Sequence, residues 1–462
     1  MKKVLFLILL LSLVAFPAAA QEGEGLPDFI EHSACDVDLT GETITIYHFG
    51  DISGSYAFIT QPLLAGLADA TAYYNARGGI CGAQIAQDNR DTGGDLAQTQ
   101  AAYDAYSSLD PKPDIVVLYA SGDAELLREQ LAEDEIVATI SAGSVEGLYG
   151  ESGQSAGWIY ATNPLYADQL GSFCRYLGAN SDQYPDPVIG YISWPGAFGE
   201  AAYTPETISY CAENGVTILE TPEYFPPTAT DITTNIQNLV DAGANILYTN
   251  SLASGPFLVS KTVVDLGLED QVQVAGVNWA LDTSVGLLSR TALGSDGLPA
   301  ANGLLGSLPF RWWTERDQPG IALVNEQAAA NERGLSTQNI AYLLGWAVTD
   351  TYVEMYIQTV NRVGSLDEVT GADIKETMDT MVYSPLGLLE QDYRGGEIRA
   401  LPGNRIAMMA FLNAEGTGPA TSGDDAMKVD LPDGTQAYIP ILIPLTDFED
   451  APDLRPGGAD VP

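Results

Sequence analysis

The chain has 462 residues, 46% of them hydrophobic, enough to bury the cores of two or three domains at about 150 residues each. Nineteen basic residues against 62 acidic ones leave a formal net charge of -43. A surface of that sign repels phosphate backbones and anionic lipid headgroups, which excludes nucleic acid and membrane surfaces as partners.

Met1 to Gln21 reads as a targeting segment. Lys2 and Lys3 precede an apolar run from Val4 to Val14 interrupted only by Ser12, and Ala18-Ala-Ala20 offers small residues for cleavage. The run falls short of the roughly 20 residues that span a bilayer, and the first cysteine, Cys35, is too distant for a lipid anchor. Residues 1–20 are therefore expected to be a cleavable signal peptide, and the mature chain a soluble periplasmic or extracellular protein. Four cysteines in an exported chain permit three pairings. The favoured one joins Cys35 to Cys81 and Cys174 to Cys211, since the latter two lie on helices flanking one strand; buried free thiols are the alternative.

Glu22 to Leu39 is a polar, extended arm. Thr43 to Phe49 is the first strand, followed by the loop Asp51-Ile-Ser-Gly-Ser-Tyr56 and a helix from about Pro62 to Arg77, which Gly78-Gly79 ends. Gln84–Gln87, Asp114–Tyr119 and Ile136–Ile140 are further strands, alternating with helices from about Gly94 to Ser107 and Ala124 to Asp134. The pattern lapses between Gly153 and Pro164, where Tyr160-Ala-Thr-Asn-Pro164 reads as a crossing. From Pro187 to Asn278 the alternation resumes. Val188–Ser193, Val216–Leu219, Asn245–Thr249 and Gln271–Ala275 are strands, with a helix at Pro205–Glu213 and another whose Ile232, Ile236, Leu239 and Val240 recur at helical spacing. Strands joined through helices pair in parallel by right-handed crossovers, so both halves are doubly wound α/β lobes. A long helix from about Thr337 to Asn361, a shorter one at Thr370–Met381 and a hairpin-like region near Arg399 to Asn413 follow. Residues 416–462 form an extension with one strand-like run, Gln436 to Leu445, and a last dozen residues expected to be disordered.

Catalytic patterns are thin. Gly153-Gln-Ser155-Ala-Gly157 matches a nucleophile elbow in letters, but that motif needs a strand before it, a helix after it and a histidine partner. Only His32 and His48 exist. The segment Asp88 to Asp95 lacks the alternating ligands of a calcium loop, and neither a spaced metal set nor a phosphate-cradling glycine motif follows a strand. No metal, cofactor or catalytic set is implied. What remains are small polar loops at strand ends: Ser53-Gly54 with Tyr56, Ser121-Gly122, Gly143-Ser144, Asn250-Ser251 and Asn278-Trp279. Open parallel sheets bind ligands beyond the carboxyl ends of their strands, and a serine beside a helix N-terminus suits a carboxylate or another polar oxygen.

At these residues the chain resembles the solute-binding proteins of branched-chain amino acid ABC transporters, the type I periplasmic binding proteins. Ser53-Gly-Ser-Tyr-Ala57 resembles the family's S-G-P-Y-A, Tyr74-Asn-Ala-Arg-Gly-Gly-Ile-Cys-Gly82 its I-N-A-x-G-G-I-x-G, and Ile140-Ser-Ala-Gly-Ser144 its I-S-P-x-A. Ala197-Phe-Gly-Glu200, Pro227-Thr-Ala-Thr-Asp231 and Ser384-Pro-Leu-Gly387 extend the likeness, which spans about Thr43 to Asn413. The resemblance implies two lobes linked by three crossover strands. Residues 43–162 with 305–388 would form one lobe and 163–304 with 389–415 the other, after an arm at 21–42. It implies a monomer that closes on a small-molecule ligand and meets ABC permease subunits, with Ser121, Gly143 and Ser144 holding a ligand carboxylate. Phe198 replaces a family tyrosine, Val145 a threonine, and Asn278 the acidic residue that pairs with an amino acid's ammonium. Without that carboxylate a desolvated ammonium has no partner, so an amide, urea-like or aromatic carboxylate ligand is as plausible as an amino acid. The alternatives are a ligand-sensing module of a receptor system and, more remotely, a serine hydrolase.

Overall fold

The computed structural model describes residues 25–431 and 434–462; the expected signal peptide, residues 1–20, lies outside them. Among the described residues no helix is long and apolar enough to cross a membrane.

The first lobe alternates as its periodicity dictates: β1 (Thr43–Gly50), α1 (Ala57–Asn75), β2 (Gln84–Asp91), α2 (Leu96–Ser107), β3 (Ile115–Val117), α3 (Ser121–Glu133), β4 (Val137–Ile140), α4 (Val145–Tyr149) and β5 (Ile159–Ala161). The strands form a parallel sheet in the order β2-β1-β3-β4-β5. Side chains on a strand alternate between faces. Ile44 and Ile46 thus join Ile59, Leu63 and Leu67 of α1 in one core, while Phe49 joins Tyr103 and Tyr106 of α2 in another. Helix α1 starts at Ala57, five positions before the expected Pro62, because Ile59 and Leu63 share a buried face one turn apart. Burying Ile59 outweighs the backbone hydrogen bond that Pro62 forfeits.

The second lobe runs through α5 (Tyr166–Ala179), β6 (Val188–Ser193), α6 (Pro205–Glu213), β7 (Thr217–Ile218), β8 (Glu223–Tyr224), α7 (Thr233–Asp241), β9 (Ile246–Thr249), α8 (Ser254–Asp265), β10 (Gln273–Gly276), α9 (Thr283–Ser289) and β11 (Leu305–Ser307). The chain then returns to the first lobe as α10 (Pro319–Ala330), α11 (Ile340–Val363) and α12 (Gly371–Met378). Helix α11 packs along α1, where the Gly66 backbone meets the Tyr342 carbonyl and Gly345 meets the Leu63 carbonyl. A hairpin of β12 (Val382–Tyr383) and β13 (Gln391–Asp392) precedes β14 (Gly403–Asn404) and β15 (Ile406–Phe411). Last come the paired β16 (Lys428–Asp430) and β17 (Gln436–Tyr438), then β18 (Pro440–Pro444) and β19 (Glu449–Asp450). The second sheet has the order β18-β15-β11-β10-β9-β6-β7, with β8 beside β6; only the pairs made by β15 are antiparallel. The molecule is thus a two-lobed mixed α/β protein with parallel sheets, the type I periplasmic binding fold.

Three crossings join the lobes and bond to one another. The Ala161 N–H donates to the Arg399 carbonyl at 2.7 Å, Arg311 to Leu388 at 2.9 Å and Leu308 to Arg405 at 2.8 Å. Two expectations are corrected here. Leu305–Ser307, read as the start of the return to the first lobe, pairs with β10 and β15 in the second sheet. The extension after residue 415 supplies β18 to that sheet, and its last dozen residues are packed: Leu454 is fully buried and its N–H donates to Asp168 Oδ1 at 2.9 Å. The sequence hid this because Pro and Gly richness marks irregular backbone, not mobile backbone. Cys35 bonds Cys81 and Cys174 bonds Cys211, the favoured pairing. The first disulfide ties down an arm already held against α11, where Ser33 N and Oγ donate to Glu354 and His32 Nε2 lies 2.7 Å from Asp350 Oδ1.

Candidate functional site

A cavity of about 100 Å³ opens between the lobes at the carboxyl ends of β3 and β4. The first lobe contributes Tyr56, the segment Val117–Ser121, the segment Thr139–Ala142 and Thr162; the second contributes Tyr166, Phe198, Leu252 and Trp279. Ile59 and Leu63 of α1, with Ala341, Leu344 and Val348 of α11, complete the lining. No charged side chain is among these residues.

Strand β3 delivers Ser121 because it ends just before α3, whose N-cap is Ala120. Ser121 is 3% exposed, and its Oγ makes no well-formed hydrogen bond among the described residues, its near neighbour being the Tyr166 hydroxyl of the other lobe. Its backbone N–H opens the helix, where the first N–H groups have no intrahelical acceptor. A hydroxyl and a helix N-terminus converge there on one side of the cavity, which suits an oxygen carrying partial or full negative charge. Thr139 Oγ1 is likewise buried and unpartnered. Ser141 Oγ accepts from Asn163 Nδ2 at 2.9 Å, which leaves its own proton free to donate. Asp123 lies below, holding the Ala120 N–H at 3.0 Å and the Thr99 hydroxyl at 2.8 Å; burial raises its carboxyl pKa.

The second lobe presents an aromatic wall. Trp279 Nε1 donates to Tyr166 Oη at 3.2 Å, and the Tyr166 and Phe198 rings meet edge to face at 5.1 Å. Trp194 stacks obliquely on Tyr56 at 5.7 Å, a contact from one lobe to the other. Burial raises the pKa of Tyr56, Tyr119 and Tyr166, so the phenols around the cavity are neutral.

Of the residues expected from sequence, Tyr56, Ser121, Phe198 and Trp279 line the cavity. The others do not. Ser53 is exposed, its N–H given to Asp91 Oδ1 at 3.2 Å. Gly122 lies one residue inside α3, beyond the lining. Gly143 packs its backbone on Leu148, and Ser144 caps α4, accepting from Gly147 N at 3.1 Å and donating to Glu125 Oε1 at 2.6 Å. Its hydroxyl is spent, so Ser141 and Ala142, two residues earlier, stand in the place expected for Gly143 and Ser144. Asn250 donates to the Phe198 carbonyl at 2.7 Å, and the Asn278 N–H to Gln169 Oε1 at 2.9 Å; both are buried in the second lobe without lining the cavity. Thr162, inside the recognised crossing, and Tyr166, two residues past it, escaped the sequence reading as site residues. The inner apolar residues carried only core periodicity and gave no site signal. Ser155 is exposed in the loop before β5, with neither strand before it nor helix after it, so the elbow reading has no geometry behind it.

A scan of protein families matches residues 43–408 to the family described as periplasmic binding protein. No curated protein sequence matches the chain. Among solved structures, a branched-chain amino acid ABC transporter protein from Thermus thermophilus with bound valine is similar at 19% identity and TM-score 0.70, covering 88% of this chain and 98% of its own. A fatty acid ABC transporter substrate-binding protein from Thermomonospora curvata gives 15%, 0.66, 92% and 96%. A solute-binding protein from Rhodopseudomonas palustris in complex with 4-hydroxybenzoate gives 15%, 0.65, 89% and 98%. At such identities the solved structures speak for the fold, while the family match runs nearly from the first strand of one lobe to the returning strand of the other. This chain therefore belongs to the type I periplasmic binding proteins, the family of the branched-chain amino acid ABC transporters.

Proposed function

We propose that this protein is an extracytoplasmic solute-binding protein that captures a small ligand between its lobes by hinge closure and passes it to the permease of an ABC importer. We further propose that the ligand bears a carboxylate or amide oxygen and no ammonium. The observation that carries this reading is the cavity itself, an uncharged lining drawn from both lobes with the Ser121 hydroxyl in it. An ammonium closed into that lining would lose its water and find no carboxylate. An oxygen would find the Ser121 and Ser141 hydroxyls and the end of α3. Apolar atoms would find Phe198, Leu252 and Trp279.

Valine and isovalerate share a carbon skeleton and differ by the ammonium, so calorimetric titration with each isolates the question. Isovalerate is expected to bind more tightly, and a ligand at about 100 times its Kd stabilises the fold by about 2.7 kcal/mol. Ser121→Ala is expected to weaken isovalerate binding by about tenfold, the value of one hydrogen bond to a charged group. Tighter binding of valine would overturn the claim about the ammonium.

A further inference from the structure

We infer that the ligand carries an apolar arm that passes the sheet edge and lodges inside the first lobe, between α1 and α11. This rests on the uncharged-cleft reading and deepens it.

The cavity lining combines two kinds of wall. Ser121, Thr139, Ser141 and Thr162 bring hydroxyls to it. Two helix faces bring only carbon: Ile59 and Leu63, four apart on α1, and Ala341, Leu344 and Val348 at helical spacing on α11. Residues at such intervals share one side of a helix, so each helix turns one apolar side to the cavity. All of them except Val348 are buried. The gap is not slack between poorly joined helices. A Cβ added at Gly66 would stand 2.3 Å from the Tyr342 carbonyl oxygen, and one at Gly345 2.6 Å from the Leu63 carbonyl oxygen, so α1 and α11 touch backbone to backbone beside it. On the far side Asp69 takes Arg333 in a two-pronged pair at 2.6 and 2.8 Å and the Tyr342 hydroxyl at 2.6 Å. Helices held this firmly and still spaced around a void make a preformed pocket.

Water gains little there. A buried water needs two to four polar partners, and these five side chains offer none. An empty apolar space costs packing, and close-packed interiors rarely leave one. Carbon atoms of a ligand satisfy these helix walls, whereas a second charged group on that part of the ligand meets no counter-charge. Ala341 is the smallest side chain on the α11 wall, so its size sets the room for the arm. Leu344, the next member of that wall, is the position from which the pocket can be enlarged.

The test uses the full chain and four acids of graded arm: acetate, isovalerate, benzoate and phenylacetate. With the wild type, affinity should rise from acetate to isovalerate by at least about tenfold, since each buried methylene contributes roughly fourfold. Ala341→Leu should lower the ratio of isovalerate to acetate affinity by about tenfold, and Leu344→Ala should raise the ratio of phenylacetate to benzoate affinity by about fivefold. Thermal melts of both variants confirm folding, and either variant alone suffices if the other fails to fold. Ratios that neither substitution moves, in proteins that still bind the acids, overturn the arm and leave the uncharged-cleft reading standing. A wild type that binds none of the four acids overturns both.

Discussion

His48 lies fully buried on β1, and neither ring nitrogen has a protein partner among the described residues. Burial lowers its pKa from 6.5 to about 4. The native ring therefore stays neutral while the unfolded chain takes up a proton between about pH 6.5 and 4. Stability from this group is present above that window and is lost as pH falls through it, by up to about 3 kcal/mol at about 1.4 kcal/mol per unit. Asp114, which precedes β3, has the opposite sign. Burial is the main cause that raises its carboxyl from 3.8 to about 6, so its contribution is present in acid and is lost as pH rises through about 4 to 6. Because Asp114 keeps some solvent contact, about 1–2 kcal/mol is expected from it. Urea unfolding at a series of pH values separates the two: His48→Phe should lose less stability than the wild type on going from pH 7 to about 4.5, and Asp114→Asn should lose more. Parallel curves for all three proteins would mean that neither group is desolvated as described. At this scale the sequence is a poor guide. Ser141 and Ser144 are equivalent as letters in one loop; Glu125 and the start of α4 occupy the second and leave the first facing the cavity.

Helix α11 and helix α1 show what periodicity does and does not contain. Leu344 and Val348 carry a helical spacing that any reader of the chain can mark, and the observed α11 starts within three residues of its expected position. That this helix lies against α1 rather than another neighbour, and crosses it at Gly66 and Gly345, is written nowhere in the spacing. Gly345→Ala tests the crossing directly. Its new methyl would stand 2.6 Å from the Leu63 carbonyl oxygen and 2.7 Å from the Leu67 nitrogen, both backbone atoms that cannot swing away. Although alanine is the better helix former by about 1 kcal/mol, overpacking should win and destabilise the protein by about 2 kcal/mol in denaturant unfolding. A variant more stable than the wild type would show that the helices are not in backbone contact there.

Across the whole molecule, the carboxyl-terminal segment is a strap. Leu454 fills the space over Gly171 of α5 in the second lobe, while Arg455 lies 4.6 Å over the Tyr149 ring of α4 in the first and Pro456 rests on Gly153. A motion that parts the lobes has to stretch or detach it. Removing residues 453–462 is expected to lower stability by about 2 kcal/mol, the value of one buried leucine side chain, and to speed ligand release by favouring the parted form. Stopped-flow release and small-angle scattering read the second effect; release and radius of gyration identical to those of the full chain would show that the strap merely rests on the surface.

Local chemistry was legible because it repeats within a few residues. Alternation by two and by three or four placed β1 to β4, β6, β7, β9 and β10 and the helices α1 to α3, α6, α7, α11 and α12, but not α4, α8, α9 or α10; helix-flanked strands required parallel sheets, and the cysteines on α5 and α6 suggested their own pairing. Tertiary structure alone decided which loop serine faces the cleft, that the strand of the extension joins the second sheet and the segment after it touches both lobes, and that apolar faces of α1 and α11 line the cavity. Those outcomes depend on distances between atoms hundreds of positions apart, set by helix crossing and competition for hydrogen-bond partners, and no short-range pattern in a chain encodes either.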